Sequence, residues 1–334
     1  MVLHEAFPAL VVRKGSDEKA TAGVENLSKD DLPPGDVLIE VESSSINYKD
    51  ALATQAHPGV VRQLPHVPGI DCAGHVAQSS SSDFAAGDSV LVTGYDQGSG
   101  HWGGYSAFVR VPADWVVALP SDLSLRDAMI YGTAGFTAAQ CVSAIQHQGI
   151  GPDAGEVVVT GATGGVGSVA VALLAHLGYS VTAVTGKPDQ ASLLQQLGAQ
   201  QVISREEVDD QSKKPLLPAR WAAAVDTVGG NPLATLLRTT EYRGCVTACG
   251  LVASDKLPMT VYPFILRGVT LVGIDSAKCP RGPRLEIWQK LATEWNVIER
   301  LQSLVREVTL GEVLGEVERM LAGQNSGRIL VLPR

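Results

Sequence analysis

Short apolar runs with a strand-like pattern, separated by glycine and proline, dominate the first 124 residues. Residues 36–43 (DVLIEVES) alternate apolar and polar side chains, which is typical of a strand with one exposed face. Short strands at regular spacing, with turn residues between them, favour a small barrel or a rolled sheet. The other runs of this kind are residues 74–76, 88–93, 105–111 and 115–119.

The pattern changes at Leu125, where longer apolar stretches begin. Residues 126–145 predict one or two buried helices, and residues 288–301 predict another helix. Between them, apolar strands alternate with helical segments, which is the pattern of an α/β fold with a doubly wound parallel sheet. The six predicted strands, as many as a complete dinucleotide-binding sheet has, are residues 157–159, 181–184, 201–203, 222–225, 245–248 and 269–274.

A final strand-like run, residues 327–332 (GRILVL), fits the β-rich first region better than the parallel sheet. We therefore expect a discontinuous first domain that is closed by the C-terminal segment. Its predicted bounds are 1–124 and 300–334, with a nucleotide-binding domain at 125–299.

A glycine-rich turn follows the first strand of the predicted parallel sheet. Residues 162–167 (ATGGVG) match the pattern G-x-G-x-x-G, with alanine in the first glycine position. Gly164, Gly165 and Gly167 would let a diphosphate approach the backbone, and the next helix offers free N–H groups and its positive dipole end. The alternative is a tight turn that binds nothing. The complete strand–turn–helix–strand unit favours dinucleotide binding.

The end of the second strand discriminates between cofactors. NAD sites place an acidic residue there to bind the ribose 2′-hydroxyl, and that residue would repel a 2′-phosphate. This chain has Thr185-Gly186-Lys187 instead, and Arg205 after the third strand supplies a second cation. The sequence therefore predicts NADP(H). The alternative is that Lys187 is a solvated loop lysine.

Composition and charge narrow the classes of function. The formal net charge of −9 argues against non-specific nucleic-acid binding. No run approaches the length of a membrane span, and the N-terminus lacks a basic region before an apolar core, so we expect a cytoplasmic protein without a membrane anchor. The five cysteines form no C-x-x-C pair, and zinc is not indicated.

Several motifs together resemble the medium-chain dehydrogenase/reductase superfamily over nearly the whole chain. They are PGIDCAG (68–74), HWGGYSAFVRV (101–111), GTAGFTA (132–138), VVVTGATGGVGS (157–168) and AVDTVGG (224–230). The motifs INYKD (46–50), ACGL (248–251), PFILRGV (263–269) and GIDS (273–276) are similar to one zinc-free branch, which contains NADPH-dependent acrylyl-CoA reductases and quinone oxidoreductases.

The resemblance implies a Rossmann domain and a β-rich GroES-like catalytic domain. Zinc-dependent relatives carry a cysteine where this chain has Asn47, and Gly-His-Glu where it has Gly69-Ile70-Asp71. Because a catalytic zinc stabilises an alkoxide, this departure disfavours alcohol–carbonyl chemistry. It implies reduction of a C=C bond conjugated to a carbonyl, such as acrylyl-CoA to propionyl-CoA.

The resemblance also implies roles for individual residues. Tyr48 contacts the nicotinamide ribose or donates a proton, and Asn47 orients substrate or cofactor. The alternative is a helix start at INYKD with Asn47 as its N-cap. Leu251 and Ile265 line the nicotinamide end or are ordinary core residues. The full set of implied cofactor positions is Tyr48, Gly164, Gly165, Val166, Gly167, Ser168, Thr185, Gly186, Lys187, Arg205, Leu251, Ile265, Ser276 and Arg328.

A coenzyme A substrate would bring several phosphate charges to an acidic protein. The loop of residues 276–284 concentrates three cations after the last strand of the parallel sheet, and ligands bind beyond the carboxyl ends of such strands. Lys278, Arg281 and Arg284 therefore form a candidate phosphate clamp, with Arg267 as a candidate fourth member; the alternative is a solvated loop.

Other functions and an oligomeric state also follow as expectations. Reduction of free quinones or small enones is the alternative activity, and an NADPH-binding redox sensor without turnover is the alternative from another class. The apolar strand at 269–274 predicts a homodimer paired across a two-fold axis, as in relatives.

Overall fold

The structure is a computed structural model that describes residues 6–15 and 19–334, in which the chain forms fifteen β-strands and nine α-helices. The elements up to the first long helix are β1 Phe7–Lys14, β2 Ala20–Leu27, β3 Val37–Ser45, α1 Tyr48–Thr54, β4 Asp71–Ser79, β5 Ser89–Thr93, β6 Phe108–Val111, β7 Val117–Ala118 and α2 Leu125–His147. The others are β8 Glu156–Val159, α3 Gly165–His176, β9 Ser180–Thr185, α4 Ala191–Gln196, β10 Gln201–Ser204, β11 Trp221–Asp226, α5 Gly230–Thr239, β12 Thr240–Ala248, α6 Tyr262–Arg267, β13 Thr270–Gly273, α7 Arg281–Ala292, α8 Ile298–Leu301, β14 Val305–Thr309, α9 Val313–Leu321 and β15 Arg328–Leu332.

The chain divides into two compact units, each built from separate stretches of sequence. The first unit contains the described residues up to Thr133 together with Ala277–Ala292 and Leu304–Arg334. The second contains Ala134–Ser276 and Thr293–Ser303. The expected bounds placed α7 in the nucleotide-binding domain, whereas the structure places it in the first unit.

The first unit is built on a seven-stranded sheet with the order β14-β15-β3-β4-β5-β7, and β6 also pairs with β3. The C-terminal strand β15 pairs antiparallel with β3, in the registers Leu330 to Ser45 and Val331 to Ser44. Strands β1 and β2 form a separate antiparallel hairpin. Residues on alternate positions of β3 fall into two different apolar clusters, one with Leu38 and one with Val37, Ile39 and Val41. Such alternation is what a strand covered on both faces requires.

The second unit is built on a six-stranded parallel sheet with the order β10-β9-β8-β11-β12-β13. All six strands coincide with the apolar runs of the sequence, so the predicted doubly wound α/β fold is confirmed. Strand order reverses between β8 and β11, and the carboxyl ends of strands at such a point are where this fold binds ligands.

Helix α2 is broken at Gly132, which has φ 51° and ψ −157°. Its most apolar stretch has a mean hydropathy of 1.2 and is long enough to span a membrane, but 78% of that stretch is buried within the protein. Burial of this kind is what the core helix of a globular protein shows.

The predicted helix at 288–301 is wrong in its bounds. Helix α7 begins earlier, at Arg281, and ends at Ala292, while α8 is a separate short helix. Pro283 lies in the first turn of α7, where proline is tolerated because its missing N–H would have no helical partner. Asn296 Oδ1 accepts a 3.1 Å hydrogen bond from the Ile298 N–H, a local bond that competes with a continuous helix.

Candidate functional site

The glycine-rich turn joins β8 to α3 in the second unit. Gly161 has φ 57°, and a Cβ atom on Gly167 would overlap the carbonyl oxygen of Gly161. The turn is therefore closed too tightly for side chains, which leaves its backbone accessible to a ligand. The N–H groups of Gly165, Val166 and Gly167 lie in the first turn of a twelve-residue helix and have no intrahelical acceptor.

Ser168 differs from its neighbours in this turn. Its side chain is buried, and the hydroxyl donates a 3.3 Å hydrogen bond to the carbonyl oxygen of Gly165. Its N–H donates to the carbonyl oxygen of Gly164. Ser168 thus stabilises the turn from the inside, and in this arrangement it presents no free group to a diphosphate.

A buried aspartate supports the turn from the next strand of the sheet. Asp226, at the end of β11, accepts a 2.7 Å hydrogen bond from Thr160 Oγ1 and another of 2.7 Å from the Gly229 N–H. Thr227 Oγ1 donates to the Thr160 carbonyl oxygen at 2.9 Å. Burial raises the pKa of Asp226. Asp226 was not predicted to have a role, although an isolated acidic residue at the end of an apolar strand could have indicated that it supports the adjacent turn.

The carboxyl ends of β9 and β10 bring the predicted phosphate-reading residues together. A Cβ atom on Gly186 would lie 3.0 Å from both Cζ and Nε of Arg205, so the guanidinium packs against the space where a side chain is missing. Thr185 Oγ1 accepts a 3.0 Å hydrogen bond from the Lys187 N–H. Partial burial lowers the pKa of Lys187, and Arg205 forms a 3.5 Å ion pair with Glu206. Two cations and a hydroxyl thus surround one glycine.

Two residues expected at the nicotinamide end are exposed. Leu251 is 63% and Ile265 is 68% solvent-accessible, so the alternative that they are ordinary core residues is wrong. Leu251 lines a depression at the carboxyl ends of β12 and β13, formed by residues 248–251 and 273–275. Ser276 directly follows this depression in the chain and is partly buried.

In the first unit, the start of α1 presents Tyr48 outward and Asn47 inward. The Tyr48 side chain is 41% exposed, whereas Asn47 is buried and is the N-cap of the helix. Asn47 donates from its backbone N–H to Asp50 Oδ2 at 2.9 Å and from Nδ2 to Asp71 Oδ2 at 2.8 Å. This placement matches the N-cap alternative, with the side-chain amide engaged inside the protein, and the expectation that Asn47 orients substrate or cofactor stays a prediction.

Arg328 is also buried, and its expected role as a cofactor contact stays a prediction. Its Nε donates to the Ile130 carbonyl oxygen at 2.7 Å, and Nη2 donates to Ser45 Oγ at 2.9 Å. We use the name polar cluster for the connected group around it. The polar cluster consists of Ser45, Asn47, Asp50, Asp71, Tyr105, Thr133 and Arg328.

Burial decides the ionisation of this cluster. It raises the pKa of Asp50 to about 7, with a further contribution from the charge of Asp71, although three backbone N–H groups donate to Asp50 and oppose the shift. Burial also raises the pKa of Tyr105 well above its usual value and lowers that of Arg328.

The loop before α7 does not present its three cations together. Arg284 is buried, and its Nη1 donates to the Thr93 carbonyl oxygen at 2.7 Å, with its guanidinium 4.3 Å from the Tyr95 ring centre. It holds the loop in place and is not positioned to bind a phosphate. Arg281 is exposed at the residue level, but its Nη1 donates to the carbonyl oxygens of Asp114 and Val116.

Lys278, the third cation of the loop, shares a carboxylate partner with Arg62, a residue that was not predicted for this site. Lys278 Nζ lies 3.2 Å from Asp96, and Arg62 Nη2 lies 3.6 Å from the same carboxylate oxygen. The two cationic side chains are 60% and 71% exposed. Arg267, also considered for the clamp, donates to the carbonyl oxygens of Leu217, Arg238 and Thr240 and so anchors a loop of the second unit.

Residues 6–15 and 19–334 contain no group of three or more His, Cys, Asp or Glu side chains that could hold a metal ion.

Comparison with known sequences gives two family matches. Residues 33–121 match the family described as "Alcohol dehydrogenase GroES-like domain", and residues 165–293 match "Zinc-binding dehydrogenase". The chain is 48% identical to acrylyl-CoA reductase AcuI of Ruegeria pomeroyi over 97% of this chain and 98% of that protein. It is 46% identical to YhfP of Bacillus subtilis, which carries the name of a quinone oxidoreductase, over 97% of this chain and 98% of that protein.

Solved structures agree with these sequence matches. Escherichia coli YhdH with bound NADPH superposes with a TM-score of 0.93 at 45% identity, covering 98% of this chain and 100% of that one. Bacillus subtilis YhfP with bound NAD superposes with a TM-score of 0.95 at 46% identity, covering 98% and 99%. The chain therefore belongs to the medium-chain dehydrogenase/reductase superfamily of oxidoreductases, in the branch that contains acrylyl-CoA reductase AcuI and YhfP.

Proposed function

We propose that the protein is an NADPH-dependent reductase that reduces the C=C bond of an α,β-unsaturated acyl-CoA and so gives the saturated thioester. The proposed main substrate is acrylyl-CoA. The observation that carries this proposal is the 48% identity to an acrylyl-CoA reductase over nearly the full length of both chains.

The residues of the second unit fit the cofactor. Gly164, Gly165 and Gly167 leave a backbone surface for the diphosphate at the start of α3. Lys187 and Arg205 supply positive charge at the end of β9, where an NAD-specific site would carry an acid. NADPH supplies the hydride when it is bound; the protein binds and orients it. The NADPH complex of the 45% identical Escherichia coli relative supports NADPH as the cofactor. Because YhfP was crystallised with NAD, the preference between the two cofactors needs a direct test.

Tyr48 is the residue of the first unit that we propose to act in the reaction. Reduction at the β-carbon places negative charge on the thioester oxygen, which needs hydrogen-bond donors, and the α-carbon must receive a proton. The exposed hydroxyl of Tyr48 either contacts the cofactor ribose or provides this proton. Replacement of Tyr48 by phenylalanine should lower kcat or raise KM; unchanged values of both would remove Tyr48 from the mechanism.

We propose a phosphate clamp for coenzyme A that differs from the one predicted from the loop sequence. Lys278 and Arg62 are exposed and converge on Asp96, and Arg281 follows Lys278 in the chain. Arg284 is left out because its guanidinium is buried against carbonyl oxygens.

The decisive experiment compares substrates under steady-state conditions. Acrylyl-CoA, crotonyl-CoA and 1,4-benzoquinone would each be assayed with NADPH and with NADH. We expect the highest kcat/KM for acrylyl-CoA with NADPH. A higher value for benzoquinone would favour the quinone reductase function that the name of YhfP suggests. Tight NADPH binding without oxidation in any of these assays would favour a redox sensor.

We further propose a homodimer formed through β13. Strand β13 is an edge strand of the parallel sheet, so one side of its backbone has no strand partner among the described residues. Exposed apolar side chains precede it in the chain, including Tyr242, Val261 and Leu266. Sedimentation of the native protein should give twice the monomer mass of 35.0 kDa. Tyr242→Lys together with Leu266→Lys should yield monomers; a native monomer would refute the proposal.

A further inference from the structure

Asn47 links the three charged groups of the polar cluster. Its Nδ2 donates to Asp71 and its backbone N–H donates to Asp50, while its Oδ1 lies 3.5 Å from Arg328 Nη1. The next residue is Tyr48. The carboxyl groups of Asp50 and Asp71 are buried, so neither is placed to touch a substrate, yet both accept hydrogen bonds from Asn47, the N-cap of α1.

The charges within this cluster do not balance. Asp50 and Asp71 together carry two negative charges when ionised, and Arg328 carries one positive charge. Arg328 reaches Asp71 only indirectly: Nη2 donates to Ser45 Oγ, which donates to Asp71 Oδ2 at 2.6 Å. Because an uncompensated charge in the protein interior is costly, the smallest compensation is one proton on the carboxyl pair.

The two carboxyl groups differ in the hydrogen bonds that they accept. Asp71 accepts from Ser45 Oγ, Asn47 Nδ2, the Thr133 N–H and Thr133 Oγ1, at 2.5–2.9 Å. Four short bonds stabilise its charge. Asp50 accepts from the N–H groups of Asn47, Gly69 and Ile70 at 2.8–3.1 Å, and from Asn47 Nδ2 at the longer distance of 3.4 Å.

The other titratable groups around the pair leave Asp50 as the site of the proton. Tyr105 and Arg328 face both carboxyl groups, Cys72 follows Asp71 in β4, and the charge of Arg284 also acts on Asp71. Burial raises the pKa of Cys72 to about 12 and that of Tyr105 well above its usual value, so both stay neutral near pH 7. The raised pKa of Asp50, about 7, agrees with a proton held there.

We propose that Asp50 and Asp71 are positioning residues that fix Asn47 and Tyr48 at the start of α1, and that they do so while sharing one proton held on Asp50. The role for Tyr48 rests on the proposed function, whereas the positioning of the helix start does not. When the proton leaves, two like charges lie on either side of Asn47, and repulsion between them loosens the first turn of α1.

Amide hydrogen exchange tests the positioning without any substrate. After correction for intrinsic exchange, protection of a peptide covering residues 46–54 should fall severalfold between about pH 6 and pH 8.5, while a peptide from α5 stays unchanged. Asp50→Asn should abolish this pH response. An equal response in the variant, or none in the native protein, would overturn the proposal. If Asp50→Asn does not fold, infrared spectra of the native protein provide the test. The absorption band of a protonated carboxyl group should be present at about pH 6 and disappear by about pH 8.5. A spectrum without this band at about pH 6 would refute the shared proton.

A double-mutant cycle tests whether the pair acts through Tyr48. Asp71→Asn should lower kcat for acrylyl-CoA about tenfold, because small misplacements of reacting groups are costly. The same change in the Tyr48→Phe background should have a much smaller effect. Additive effects would show that Asp71 serves only stability and would overturn its positioning role. If Tyr48→Phe alone changes nothing, the role proposed for Tyr48 fails, and hydrogen exchange still decides whether the pair holds the start of α1.

Discussion

Asn47 Nδ2 lies 2.8 Å from Asp71 Oδ2, and this bond joins the start of helix α1 to the first residue of strand β4. The two residues are 24 positions apart in the sequence. Asn47 thus serves as a neutral link between two buried carboxyl groups. The stability of the protein should depend on pH through this link.

The first prediction concerns Asp50. Its pKa in the folded protein, about 7, is higher than its usual value of 3.8, so the folded state binds a proton more strongly than the unfolded state between these pH values. The contribution of Asp50 to stability is therefore complete below about pH 4 and is lost as pH rises through 7, by at most on the order of 4 kcal/mol. Urea unfolding should show that Asp50→Asn costs less at pH 8 than at pH 5. A cost that is the same at both pH values, or that grows with pH, would contradict the assignment.

The second prediction concerns Gly186. An added methyl group would lie 3.0 Å from the Arg205 guanidinium and displace it, without backbone strain. Gly186→Ala should raise KM for NADPH by about tenfold, since one charge-assisted contact is weakened, and should change KM for NADH little. Gly151→Ala, where a Cβ atom would meet nothing within 4 Å, is the matched control. Equal effects on both cofactors would argue against a 2′-phosphate site.

The third prediction compares two glycines in helices. Gly167→Ala forces a methyl group into the backbone of Gly161 and should cost about 1–3 kcal/mol while greatly weakening NADPH binding. Gly315→Ala, in α9 with open space around it, should stabilise the protein by up to about 1 kcal/mol. Thermal unfolding with and without NADPH measures both. A Gly167→Ala protein that binds NADPH normally would show that the turn is not the diphosphate site.

The fourth prediction concerns the proposed coenzyme A contacts. Arg62→Gln and Lys278→Gln should each raise KM for acrylyl-CoA a few-fold and leave KM for benzoquinone unchanged, because an exposed ionic contact contributes about 0.2–1 kcal/mol. Asp96→Asn should have the opposite effect and lower KM for acrylyl-CoA, since it removes the carboxylate that competes with phosphate. Raising the salt concentration should reduce all three effects. An Asp96→Asn variant with weaker acrylyl-CoA binding would rule out this clamp.

Sequence reasoning worked best where the pattern is local. The six apolar strands and the glycine turn are each encoded within a few residues, and they appear where they were expected. Strand β2 was missed because it is rich in small and polar residues, most of them half-buried or exposed, and shows no strong apolar–polar alternation. Strands β1 and β14, and helix α9, were also not anticipated.

Contacts between residues far apart in the sequence explain why the burial of two arginines was not predicted. Arg284 donates to Thr93, 191 positions away, and Arg328 donates to Ile130, 198 positions away. A single sequence does not reveal that these guanidinium groups are buried against carbonyl oxygens. Arg284 was therefore assigned to coenzyme A from its place in a cationic loop, whereas the cofactor role of Arg328 was implied by the family resemblance.

The pairing of β15 with β3 affects the order in which the newly made chain can fold. Strand β15 lies between β14 and β3, so β14 cannot join the sheet of the first unit until residues 328–332 have left the ribosome. The parallel sheet needs none of these residues and can be completed earlier during synthesis. Nascent chains halted shortly before β15 should therefore already contain a protease-resistant nucleotide-binding portion, while β14 and β3 still lack the strand that lies between them.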